Sequence, residues 1–151
     1  MDAYDRKILS ELQMDGRLSV TDLAARIGLS LSPCHRRVRA LEQAGVIRGY
    51  RAELDPSAVG LAFSAVVFVT LRDGDRAAVE AFEKAVADVV QVTQAQRLFG
   101  DPDYLLHVIV SDLAAFQQLY DQKLASLPSV LRLTSTLVMK DVVSPRPLAV
   151  F

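Results

Sequence analysis

The sequence predicts an α+β fold in two modules, a small helical head followed by a body of strands and helices. Three observations carry this. Apolar residues recur at helical spacing up to Gly45 and at strand spacing in long stretches beyond it. Glycine, proline and aspartate cluster between those stretches, where turns need them. Charge divides at nearly the same place: residues 1–51 hold nine basic and six acidic groups, a balance of +3, while the remainder holds eight and twelve, a balance of −4. The near-neutral total of −1 over 151 residues thus hides a basic head and an acidic body, which points to a different partner for each.

Composition narrows the class. Hydrophobic content of 51% with 23% charged residues excludes disorder and is enough for a real core. The longest apolar runs, such as Ala65 to Val69, fall far short of the roughly 20 residues of a membrane helix. Met1-Asp2-Ala3-Tyr4-Asp5 is acidic and has no apolar signal core, so a cytoplasmic location is expected. The single cysteine fits a reducing compartment, and Cys34, His35 and His107 are too few soft ligands for a zinc site. Neither a metal nor a cofactor is expected.

In the head, Tyr4, Ile8, Leu9 and Leu12 mark a first helix, with Gly16 placed to stop it. Ser19 caps a short second helix carrying Val20, Leu23, Ala24 and Ile27 on one face, closed by Gly28. Ser30 or Ser32 opens a third, where Pro33 is harmless because first-turn amides have no intrahelical partner to lose, and Gly45 ends it. A short helix, a tight glycine turn and a longer helix form a helix-turn-helix.

The wheel of the third helix, at about 100° per residue, sharpens that reading. Cys34, Val38 and Leu41 share the side that must face the other helices, while Ser32, His35, Arg36, Arg39 and Gln43 centre on the opposite side with no acid among them. Arginine binds guanine edges in a major groove wide enough for a helix, and Ser and Gln bond bases or phosphates. Arg37 lies beside the buried stripe and is expected to pair with an acid of the first helix such as Asp5. Val46 to Leu54 alternates like a strand, as a wing or a strand leading out of the head, where Arg48 and Arg51 could meet phosphates. Asp55-Pro56-Ser57 and Gly60 read as a linker. A solvated basic helix face is the bland alternative for the arginines.

The body reads strand (62–71), helix (76–88), strand (89–99), turn at Gly100-Asp101-Pro102-Asp103, strand (104–110), helix from Ser111 or Asp112 to Pro128, and strand (130–139). This β-α-β-β-α-β order is the ferredoxin-like arrangement, with both helices on one face of a four-stranded sheet. Both sides of the first strand are apolar, so the bare face is expected to be covered by a second copy, making a dimer that reads two half-sites. The domains are therefore drawn as a head over 1–50, a linker strand over 51–60, a sensing and oligomerisation body over 61–140 and a tail over 141–151.

Three stretches of the head, Asp5-Arg6-Lys7-Ile8-Leu9, Leu29-Ser30-Leu31-Ser32-Pro33-Cys34 and Arg37 to Ile47, resemble the Lrp/AsnC (leucine-responsive, or feast/famine) transcriptional regulators. So do Gly100-Asp101-Pro102-Asp103-Tyr104-Leu105-Leu106 and Ser135-Thr136 of the body, in the same order. The resemblance implies a winged helix-turn-helix joined to a ligand-sensing ferredoxin-like domain, in dimers that assemble into octamers or other higher oligomers around an amino-acid effector. The DNA contacts expected of the head are Ser30, Ser32, His35, Arg36, Arg39, Gln43 and Arg48. The resemblance implies an effector site at Gly100, Asp101, Asp103 and Tyr104, with Thr134, Ser135 or Thr136 from the same or a neighbouring chain. There Asp101 or Asp103 would hold an ammonium and the amides of the glycine turn a carboxylate. Position 102 is often aromatic in that family, and Pro102 removes one amide and stiffens the loop.

The expected function is sequence-specific DNA binding that responds to a small molecule, an amino acid. Two alternatives stand beside it: an architectural DNA binder of the same fold without an effector, and a ferredoxin-like dimeric enzyme using Asp103, Tyr104 and His107. The enzyme reading has no nucleophile-base pair at usable spacing and leaves the basic third helix unexplained.

Overall fold

A computed structural model describes residues 1–150, which divide into two compact units: Met1–Glu53 together with the tail from Val142, and Leu54–Asp141. In the first unit, α1 (Ala3–Met14) opens on a capping box in which Asp2 and Asp5 each accept the other's backbone N–H. The α2 helix (Val20–Ile27) is capped by the Ser19 hydroxyl accepting from Asp22 N, and Gly28 closes it in the left-handed region at φ 72°. The α3 helix (Leu31–Gln43) has Ser30 as its N-cap and Gly45, at φ 70°, just beyond its end. Ile8, Leu9, Leu23, Ala24, Ile27, Cys34, Val38 and Leu41 form the core. Cys34 is fully buried there as a small apolar residue, and burial pushes its thiol pKa up, away from reactivity.

Several expectations need correcting. Gly16 does not stop α1 in a left-handed cap; Asp15 does, its N–H donating to Glu11 O in extended backbone. Tyr4 is 39% exposed and lies outside the core. Residues 46–54 form no strand. An extended segment joins a sheet only when a neighbour takes its N–H and C=O groups, and among the described residues the backbone amides from Arg48 to Leu54 donate to no other backbone group. Instead the Tyr50 hydroxyl donates to Glu42 at 3.1 Å, and Ser57–Val59 makes one 3-10 turn. The tail drawn over 141–151 is held by the head at Leu148 and Val150: Gln13 brackets the Leu148 backbone, and Val150 packs on the head core.

In the second unit, β1 (Phe63–Leu71), α4 (Arg76–Ala87), β2 (Val92–Arg97), β3 (Tyr104–Val110), α5 (Leu113–Gln122) and β4 (Val130–Leu137) follow the expected order. The strands pair antiparallel in the order β2-β3-β1-β4. The β2 strand starts later than its apolar run suggested, because Val89 is buried at the end of α4, with its N–H donating to Val86 O. The α5 helix ends at Gln122, and Leu124–Ser126 continues as a 3-10 turn that still buries Leu124. Ala65, Val67, Val69 and Leu71 of β1 meet Val79, Phe82, Val86, Phe116 and Leu119 of the helices in the core.

Residues paired across antiparallel strands share a face. Ser64, Val66, Phe68 and Thr70 therefore stand with Ile109, His107 and Leu105 of β3 and with Thr136, Thr134 and Arg132 of β4, on the side away from the helices. Val66, Phe68, Leu105 and Ile109 are all only half-buried there.

Candidate functional site

The exposed side of α3 is built as the wheel requires. Cys34, Val38 and Leu41 anchor the helix, and Ser32, His35, Arg36, Arg39 and Gln43 are all exposed. Ser30 and Arg48, which flank the helix in sequence, are exposed too, and the Ser30 side chain makes no capping bond that would occupy it. Arg36, Arg39 and Arg48 form no ion pair among the described residues. Arg37 is engaged: its Nη1 reaches Asp5 at 2.8 Å and Asp2 at 2.7 Å. Those bonds push its own pKa up, while the Asp5 backbone amide and then the Arg37 guanidinium hold the Asp2 carboxyl below the ordinary aspartate value. The helix thus separates one fastened arginine from two that are available to an anion.

The loop between β2 and β3 carries the second set. Gly100 sits at φ 130°, a conformation side chains rarely adopt, and the Asp101–Pro102 peptide is cis. Asp103 fastens the loop to the end of β1: its N–H donates to Val69 O at 2.9 Å, its Oδ2 accepts from Leu71 N at 2.7 Å, and its carbonyl accepts from Leu98 N at 2.7 Å. Asp101 is exposed, takes the Thr70 hydroxyl at 3.4 Å and faces Arg132 at 3.7 Å.

These placements revise the sequence-based site. Tyr104 lies among the buried residues of the helix side, 2% exposed with its ring against Phe82, and its hydroxyl donates to Glu83 at 2.9 Å. Burial, then the Glu83 carboxylate, pushes its pKa up to about 12. Tyr104 is a loop anchor on the wrong side of the sheet for a ligand resting near Asp101. Asp103 spends one carboxylate oxygen on Leu71, so Asp101 is the more available of the two acids. Thr134 and Thr136 are on the open face, whereas Ser135 pairs with Val67 and alternates to the helix side. Thr70 and Arg132 also stand beside Asp101. Each is an ordinary β-strand residue in the sequence, and only the register brings them beside Asp101.

Comparison with known proteins agrees with both halves. Residues 1–48 match the family model for winged helix-turn-helix DNA-binding domains, and residues 64–148 match the Lrp/AsnC ligand binding domain. A proline dehydrogenase transcriptional activator from Rhodobacter capsulatus is 41% identical over 143 residues, 95% of this chain and 93% of that one. A leucine-responsive regulatory protein from Rhizobium meliloti (strain 1021) is 42% identical over 94% of this chain and 91% of its own length. Among solved structures, a transcriptional regulator of Neisseria meningitidis in complex with L-Met superposes with a TM-score of 0.92 at 36% identity, over 98% of this chain and 96% of that one. An AsnC family regulator from Agrobacterium tumefaciens gives 0.90 at 36% identity, over 95% and 94%. These relatives are regulators, which leaves the enzyme alternative without support, and His107 sits mid-strand opposite Val66 and Gln94. A basic recognition helix in the head and a ligand-binding body matched by family over the rest place this chain in the Lrp/AsnC family of DNA-binding transcriptional regulators.

Proposed function

We propose that the head reads an operator through Ser32, His35, Arg36, Arg39 and Gln43 in the major groove, the two arginines at base edges and the phosphates that border them, with Ser30 and Arg48 at flanking phosphates. The observation that carries this is the contrast on α3 between Arg37, tied to Asp2 and Asp5, and Arg36 and Arg39, exposed and without an ion pair among the described residues. Guanidinium groups held on a packed helix, with no acid to neutralise them, suit bidentate bonds to guanine and phosphate. Such a regulator works where the chromosome is, in the cytoplasm.

The body is proposed to bind an α-amino acid at the loop of Gly100 and Asp101, with Thr134 and Thr136 beside it on the open face. The relative solved with L-Met supports that ligand class. The half-buried stripe of Val66, Phe68, Leu105 and Ile109 supports a second copy across the sheet, in a dimer that assembles further, to an octamer. The ligand then shifts an equilibrium between assemblies or operator affinities by binding one of them better.

The test uses DNA fragments recovered by genome-wide mapping of bound sites, with and without added amino acids. Replacing Arg36 and Arg39 with Ala should weaken binding to them and flatten its salt dependence, by about 0.9 in log–log slope for each phosphate that is no longer neutralised. Unchanged affinity and slope would refute the recognition-helix assignment.

A further inference from the structure

We propose that Arg132, Thr70 and Asp101 form a clamp for a zwitterion, in which Arg132 holds the α-carboxylate of the effector and Asp101 its α-ammonium. This rests on the reading of the body as an amino-acid sensor, and it assigns the anion-binding half of that site to a side chain of β4.

The loop offers a carboxylate the amides of Phe99, Gly100 and Asp101, which donate to no backbone group among the described residues. Pro102 has no amide, the Asp103 amide is committed to Val69 O, and the Leu98 amide to Asp103 O. Amides carry only partial charge, so a cation beside them, with its full positive charge, would strengthen the hold on a carboxylate. Arg132 is that cation: its Nη2 lies 3.7 Å from Asp101 Oδ1 and 3.5 Å from Thr70 Oγ1, and the Thr70 hydroxyl in turn donates to Asp101 at 3.4 Å. Three elements that are remote in sequence converge here, namely the end of β1, the β2–β3 loop and the start of β4.

The contacts are loose in a way that suits admission of a ligand. All three lie at or beyond the long end of good hydrogen-bond geometry, and the Arg132 and Asp101 side chains are 63% and 75% exposed. The other ion pairs among the described residues close at 2.6 to 3.0 Å. An exposed, overlong pair contributes little to folding, so parting it costs little. An α-amino acid carries its opposite charges on atoms separated by a single carbon, and inserting it between Arg132 and Asp101 replaces one slack pair with two close ones. The planar guanidinium can take both carboxylate oxygens at once, which a lysine cannot do. Thr134, two residues along the same face of β4, can add a hydroxyl.

The experiment is a thermal-shift titration of the full chain with each of the twenty standard amino acids, since a ligand that binds only the native state must stabilise it. The amino acid giving the largest shift is then compared with its α-carboxamide and its deaminated acid. The clamp requires that both analogues bind at least about tenfold more weakly, that Arg132→Gln weaken the amino acid by a similar factor, and that Arg132→Lys restore part of the loss. A carboxamide that binds as well as the free acid, or an Arg132→Gln chain with unchanged affinity, overturns it. Should Arg132→Gln fail to fold, Arg132→Lys, which keeps the charge and loses the planar fork, takes its place: it should weaken the amino acid relative to the unaltered chain, and unchanged affinity overturns the clamp. If no amino acid shifts the unaltered chain, the effector reading itself falls and the clamp falls with it, an outcome distinct from a sensor that ignores Arg132.

Discussion

Arg37 on α3 donates to Asp5 on α1 at 2.8 Å, and this bond decides which arginines of the third helix remain for DNA. Asp5 is the better shielded of its two acids, 17% exposed against 52% for Asp2, so it is the partner that fixes the guanidinium. The pair also ties the recognition helix to the helix that opens the chain.

Removing that tie should separate stability from DNA contact. Arg37→Gln is expected to lower the melting temperature while leaving the salt slope of operator binding unchanged, the reverse of the Arg36 and Arg39 variants. The pH dependence has a defined sign. Asp2 has a folded-state pKa below its ordinary value, so its contribution is present above the ordinary aspartate range and is lost as pH falls through the lowered folded value. In Arg37→Gln the acid limb of a melting curve against pH should therefore be shallower than in the parent chain.

Tyr104 gives a matching prediction at the alkaline end. Its pKa, raised to about 12 by burial and by Glu83, means that the folded state keeps a proton which the unfolded chain loses near pH 10. Its stabilising effect is complete below that pH and declines as pH rises through both values. Absorbance titration should show a late step that Tyr104→Phe removes, while Tyr50, whose pKa is also pushed up by burial and by Glu42, keeps its own delay in that variant. Because Glu83 is exposed and can turn to water, losing the hydroxyl should cost only about 1 kcal/mol in chemical denaturation.

The turn of the helix-turn-helix rests on Gly28, at φ 72°, whose N–H donates to Ala24 O and Ala25 O. Among the described residues nothing beyond its chain neighbours and its own helix backbone lies within 4 Å of where a Cβ would stand, so substitution there meets only backbone strain. Gly28→Ala should destabilise the head by roughly 1–2 kcal/mol, and Gly28→Asn by less, because asparagine tolerates the left-handed region better. Equal losses for Ala and Asn in denaturant melts would contradict this.

The order of helices and strands was legible because each element buries one stripe, and the stripe has a period: Cys34, Val38 and Leu41 on α3, or Ala65, Val67 and Val69 on β1. The recognition face followed from the same wheel. What periodicity could not supply was pairing. Residues 46–54 alternate as a strand does, yet strand formation depends on a neighbour's backbone, and none among the described residues is offered. The resemblance to the Lrp/AsnC regulators points to the loop from Gly100 to Tyr104, but which acid is engaged there depends on Leu71, and which cation stands opposite depends on the register of Thr70 with Arg132. Tyr104 was assigned to the ligand by its place in a motif, although strand alternation with Leu106 and Val108 already assigned it to the core.

The tail supplies the last prediction. Gln13 acts as a two-pronged clip: its Oε1 accepts from Leu148 N at 2.7 Å, and its Nε2 donates to Leu148 O at 3.2 Å. A side-chain amide that satisfies both polar groups of one backbone residue holds extended chain without regard to its side chain, and Leu148 is indeed 80% exposed. Val150, packed against the head core, adds the apolar part. In native-state hydrogen exchange the Leu148 amide should be protected despite that exposure. Gln13→Leu should abolish the protection, whereas Gln13→Glu, which keeps the acceptor and loses the donor, should retain part of it. With about 1 kcal/mol attached to each bond, the two variants should differ by a factor of several in exchange rate. Equal rates in the parent and Gln13→Leu chains would mean that the clip does not hold the tail.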